Sequence, residues 1–60
     1  MKYNIGDLVL AKLTGDTKYE IYEIADSYDY GRLPLRYLLV RGKIEQYPIA
    51  EYVLTPIFTI

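Results

Sequence analysis

A chain of 60 residues without a single cysteine or histidine has to be held together by whatever its own side chains can bury. At 7.0 kDa, the area scaling of folded chains leaves roughly 4,000 Å² exposed out of about 10,000 Å² in the unfolded chain, a burial of about 60%. Disulfides, and a zinc site built from its two usual ligands, are both ruled out as additional support. The length therefore predicts one domain, 1–60, with a small core. It excludes a two-sheet sandwich of about 100 residues, and no window approaches the roughly 20 apolar residues of a membrane-spanning helix. The Met1-Lys2-Tyr3 start leads directly into a folded-looking pattern, so no leader is expected. The expectation is a cytoplasmic protein that engages no membrane.

What fills the core is pleated. Val, Ile, Thr, Tyr and Phe supply 23 of the 60 residues and Ala only three, a balance that favours strands over helix. Gly6-Asp7 opens a first apolar run, Leu8 to Leu13, and Thr14-Gly15-Asp16-Thr17 closes it with turn formers. A second strand is predicted within Lys18 to Ser27. Its mixed spacing, with Ile21 and Ile24 three apart but Tyr22 and Ile24 two apart, predicts a bulge or strong bend. Tyr28 to Pro34 reads as a loop, since it lacks apolar periodicity and Pro34 forces extended geometry on its predecessor. Leu35 to Arg41 is the strongest strand. Gly42-Lys43 then turns the chain into Ile44 to Tyr47, through a turn of two or three residues that leaves the register open. Pro48 is expected to end that strand. Ile49-Ala50-Glu51-Tyr52 has room for one helical turn, and Val53 to Ile57 reads as a last strand with Pro56 at an edge or end. Five short strands in so short a chain predict one strongly bent sheet folded into a small, partly open barrel.

Three stretches of this pattern resemble the SH3-like (Src-homology-3) small barrels, together spanning residues 5–57. Ile5-Gly6-Asp7-Leu8-Val9-Leu10-Ala11 is similar to the Gly-Asp-x-Val-x-Ala opening of Tudor-like and related domains, which implies that Val9 and Ala11 point inward. Tyr37-Leu38-Leu39-Val40 followed by Gly42 resembles the third strand and distal turn. The stretch from Tyr47 to Ile57 resembles the ending of Pro, a 3₁₀ turn, Tyr-Val and a terminal Ile or Leu, with one extra residue between Pro48 and Tyr52. The resemblance implies an all-β, five-stranded SH3-like barrel with a 3₁₀ turn before the last strand. Pro48 and Tyr52 match positions that line the SH3 peptide groove. The Ala-Leu-Tyr-Asp-Tyr motif, the paired tryptophans and the long acidic first loop of SH3 domains are missing.

Charge and side-chain chemistry narrow the function. A net charge of −1 disfavours phosphate-driven nucleic-acid binding. Residues 1–31 carry three basic and six acidic side chains, residues 32–60 four basic and two acidic. Such a dipolar surface orients a partner on approach, unless the unlike charges pair between neighbouring strands. General acid–base and nucleophilic catalysis rely most on His, Cys and Ser–base pairs; here the one Ser, Ser27, sits in a turn-like Asp26-Ser27-Tyr28 setting. No enzyme activity and no cofactor are expected. Asp26, Asp29, Glu20 and Glu23 lack EF-hand spacing and read as a solvated acidic face.

The eight tyrosines are a surplus for a core this small. Tyr22 and Tyr37 are the best core candidates, and several others must stand exposed. Tyrosine offers large rigid contact area with a polar tip, which suits recognition surfaces. The candidate partner-binding set is Tyr28, Tyr30, Arg32, Arg36, Tyr47, Pro48 and Tyr52. The leading expectation is a non-catalytic protein-interaction module, analogous in size and style to small phage or mobile-element proteins that bind and modulate a host protein. One alternative is a nucleic-acid-binding barrel of the Tudor or KOW kind, using tyrosine rings with Arg32, Arg36, Arg41 and Lys43. A second is a structural homo-oligomer paired through the apolar C-terminal strand that includes Ile57, Phe58 and Ile60.

Overall fold

The computed structural model describes residues 2–57. Its five strands are β1 (Leu8–Ala11), β2 (Glu20–Tyr28), β3 (Arg36–Arg41), β4 (Ile44–Ala50) and β5 (Thr55–Pro56), with a 3₁₀ turn at Glu51–Val53 before β5. They form one antiparallel sheet in the order β4-β3-β2-β1-β5. The chain is therefore all-β. Among the described residues β4 and β5 remain the two edges, so the sheet does not close into a barrel. The predicted Phe58 and Ile60 pairing lies outside the described residues.

Each strand ends for a local reason. β1 stops at Ala11 because the Leu13 N–H donates to the Asp16 carboxylate at 3.0 Å while Asp16 N–H returns to the Leu13 carbonyl at 2.9 Å, closing a turn before the ladder can continue. Across β2 and β3 the register shifts between Ile24 and Asp26, so Ala25 is the extra residue of a bulge, as the mixed spacing predicts. The hairpin register is also decided: Arg41 faces Ile44, leaving Gly42-Lys43 as a two-residue turn. Gly42 alone has positive φ there, 62°, the pattern of a turn with glycine in first position.

Several boundaries differ from the expectation: β1 ends at Ala11 and not Leu13, the 3₁₀ turn takes Glu51–Val53 in place of Ile49 to Tyr52, and the last strand is only Thr55–Pro56. Tyr28 is not in a loop; it is the last residue of β2, opposite Arg36. Nor does Pro48 end β4, which runs on to Ala50. Tyr37 faces Ile49 and Leu39 faces Gln46, so Tyr47 and Pro48 together oppose Leu38. A proline has no N–H for the ladder, and a bulge on an edge strand is where that loss is tolerated.

The inner face of the sheet carries the core. Val9, Ala11, Tyr22, Ile24, Tyr37 and Leu39 are fully buried, and Tyr3, Leu13 and Leu54 complete the cluster. A buried phenol needs a partner for its hydroxyl. The Tyr22 hydroxyl donates to Asp16 at 2.6 Å, and the Arg41 guanidinium lies over the Tyr22 ring at 5.5 Å while reaching Asp16 at 3.4 Å. The Tyr37 hydroxyl accepts from the Tyr3 N–H at 3.1 Å and donates to Glu51 at 3.5 Å, with the Tyr3 ring edge-on to it. Asp16 and Arg41 also join the acidic half of the chain to the basic half.

The Tyr22 hydroxyl, followed by the Leu13 N–H and Arg41, holds the Asp16 carboxyl below the usual aspartate value of 3.8. A carboxylate depressed in the folded state contributes stability above its ordinary value and loses it as pH falls through the folded-state value. Acid unfolding should thus contain an Asp16 component below about pH 4. Urea unfolding at pH 6 and pH 3 checks it: Asp16→Asn should be less stable than the parent at pH 6 and should narrow the gap at pH 3. Tyr37→Phe strands the buried Tyr3 N–H, a cost of about 1–3 kcal/mol that a urea titration at neutral pH would register.

Candidate tyrosine surface

The strand ladder, not the loops, brings the exposed tyrosines together. Opposed residues of an antiparallel pair share a face, and alternate residues of a strand return to it. Arg36, Leu38 and Val40 of β3 point outward. Tyr28 stands opposite Arg36, Asp26 opposite Leu38, and Glu23 and Glu45 flank Val40 from either side. The bulge in β4 sets Tyr47 beside Leu38 on this outer face.

Three rings then meet. Tyr28 stacks with Tyr30, centroids 6.3 Å apart and planes inclined by 20°, and lies 6.3 Å from Tyr47 at 42°. Tyr30 is turned back onto Tyr28 by the loop that follows β2. There the Asp29 carboxylate accepts from the Gly31 N–H at 2.9 Å, a local side-chain turn, and Gly31 takes φ 82°. Tyr28 is half-buried by its neighbours, whereas Tyr30 and Tyr47 remain 61% and 67% exposed. Those two rings are not spent on the core. Partial burial, then Asp26, the Tyr47 and Tyr30 hydroxyls and Glu45, push the Tyr28 hydroxyl above its ordinary value.

The remaining candidates line two hollows. Tyr30, Arg32 and Arg36 line a small one together with Leu33 and Pro34. Arg36, Pro48 and Tyr52 line another against Leu13 and Val53. The structure therefore brings Tyr28, Tyr30, Arg32, Arg36 and Tyr47 together but not Pro48 and Tyr52, whose hollow also takes in Leu13 and Ile49 from the core side of β4 and touches the ring surface only through Arg36. Arg41, proposed for nucleic-acid contact, is engaged on the inner side with Asp16 and Tyr22.

Sequence reasoning missed a neighbouring feature. An apolar groove of about 570 Å³ runs between the β2–β3 loop, the N-terminal segment and the 3₁₀ turn, lined by Tyr3, Leu33, Pro34, Tyr52, Leu54 and Pro56 among others. Leu33 and Tyr52 stand 84% and 80% exposed at its rim. The signal was present: Leu33-Pro34 is the one apolar step in an otherwise polar loop. Asp26 and Glu45 were missed as neighbours of Tyr28, because only the ladder register sets them there. Among the described residues no group of three or more acidic side chains is arranged to hold a metal ion, and no helix is long and apolar enough to cross a membrane.

The stacked geometry depends on Gly31. A Cβ there meets nothing within 4 Å, so its only penalty is the left-handed backbone, about 1–2 kcal/mol. Gly31→Ala should lower stability by that amount or release Tyr30 from Tyr28. Thermal unfolding combined with the ring-current shifts of the Tyr28 protons reads both outcomes.

No family model matches this chain, and no curated protein or solved structure matches it either.

Proposed function

We propose that the chain is a non-catalytic interaction module that binds a protein partner through the Tyr28–Tyr30–Tyr47 surface, with Arg32 and Arg36 at its border. The observation that carries this reading is the cluster itself. Two of its rings are largely exposed although the core already buries Tyr3, Tyr22 and Tyr37. Exposed apolar side chains are common singly, but contiguous aromatic patches bordered by polar groups mark recognition surfaces. The linear order β4-β3-β2-β1-β5 with a 3₁₀ turn before β5 supports placing the module among the SH3-like small barrels. Analogy in size supports a phage or mobile-element protein that modulates a host protein. The carboxylates at Asp26 and Glu45 beside the rings, and the engagement of Arg41 elsewhere, speak against a phosphate backbone on the same surface.

Immobilised protein and a lysate of the source organism test the reading. A discrete protein should be retained by the parent chain and lost with the Tyr30→Ala/Tyr47→Ala double variant. Both side chains are mainly solvent-exposed, so the variant should keep its unfolding free energy to within about 1 kcal/mol. Retention that is indifferent to both substitutions, or no retained protein at all, would overturn it.

A further inference from the structure

We propose that the Tyr28–Tyr30–Tyr47 face takes a basic segment of its partner, seating an arginine or lysine head group against the tyrosine rings beside Asp26 and Glu45. This rests on the interaction-module reading above and specifies the chemistry of what is bound.

On one side of the rings the charge is wholly negative. On the outer face, the rows of the sheet next to Tyr28 carry Asp26 opposite Leu38, then Glu23 and Glu45 on either side of Val40. No basic residue interrupts those rows. Among the described residues none of these three carboxylates is in an ion pair; Asp26 accepts only its neighbouring Ser27 N–H at 2.8 Å. The arginines lie on the other side of the rings from these rows, Arg36 directly opposite Tyr28 and Arg32 in the loop beyond. Partial burial first, then Asp26 and the neighbouring groups, raise the Tyr28 hydroxyl, in keeping with that placement of the carboxylates.

The protein supplies its own template for the chemistry. On the inner face Arg41 lies 5.5 Å from the centre of the Tyr22 ring and 3.4 Å from the Asp16 carboxylate. A guanidinium between a tyrosine face and a carboxylate gains from the ring quadrupole and the charge together. The outer face presents the same two groups, ring and carboxylate, with the cation left to be provided. Apolar Leu38 and Val40 between them give the stem of a long basic side chain a surface to lie on. The occupant is a segment lying across the face. It is not a strand added to β4, since that edge is interrupted by the Tyr47-Pro48 bulge and Pro48 offers no N–H.

The experiment is an amide-resolved NMR titration of the ¹⁵N-labelled protein at low salt with a tetra-arginine peptide and, separately, a tetraglutamate peptide. Tetra-arginine should shift amides of residues 26–30, 38 and 45–47. Binding should weaken at least about threefold in Asp26→Asn/Glu45→Gln and in Tyr30→Ala/Tyr47→Ala, consistent with exposed cation–π and charge contributions. It should fade at about 0.5 M salt, where screening acts over a few ångströms. Tetraglutamate should leave those amides in place. Tetra-arginine shifts that are absent, lie elsewhere, or persist unchanged in Asp26→Asn/Glu45→Gln overturn the inference, as does tetraglutamate binding at the rings. The lysate capture separates the two readings. A partner lost with Tyr30→Ala/Tyr47→Ala but held equally by Asp26→Asn/Glu45→Gln would sustain the module and remove the basic segment.

Discussion

The 2.6 Å hydrogen bond from the Tyr22 hydroxyl to Asp16 solves the problem that a core built from tyrosine creates. A phenol offers more buried area than a leucine, which a 60-residue chain needs, but its hydroxyl cannot be left without a partner in the interior. Asp16 takes that hydroxyl and also the Leu13 N–H and Arg41, so one carboxylate ties the β1–β2 loop to β2 and β3. The Tyr37 hydroxyl does the same for other parts, joining the N-terminal segment at Tyr3 to the 3₁₀ turn at Glu51. Both tyrosines span from the centre of the core to its margin.

With the inner face fixed in this way, the outer face follows by alternation. Turning Tyr22, Ile24, Tyr37 and Leu39 inward sends Arg36, Leu38 and Val40 outward, and the two bulges decide what accompanies them. The Ala25 bulge resets the phase of β2, so that Asp26 and Tyr28 join the outer rows. The Tyr47-Pro48 bulge brings a third ring to the same place. Irregularities that cost ladder hydrogen bonds are thus what assemble the tyrosine surface.

Much of the fold was legible along the chain. Glycine-led turns, β-branched runs and the Ile21-Tyr22-Glu23-Ile24 spacing located the five strands and a bulge, because those signals are local and steric. Pro48 misled, since the rule that proline breaks a ladder says nothing of whether a strand lies at an edge with a bulge to receive it. Tyr28 misled as well: its only reason to be in a strand is its partner Arg36 across the sheet. The candidate site was legible as a set of residue types and not as a site. No local pattern relates Tyr47 to Tyr28, or Glu45 to Asp26.

Composition and local pattern settle that the chain is pleated, carries eight tyrosines and has neither histidine nor cysteine. Those conclusions follow from composition and neighbour-to-neighbour sterics, which do not depend on how distant segments meet. Which tyrosines are surplus, and that three of the eight, Tyr28, Tyr30 and Tyr47, meet beside carboxylates, is set by the packing of distant segments. Register is the reason. A shift of one residue in either bulged ladder would send a different set of side chains to the outer face.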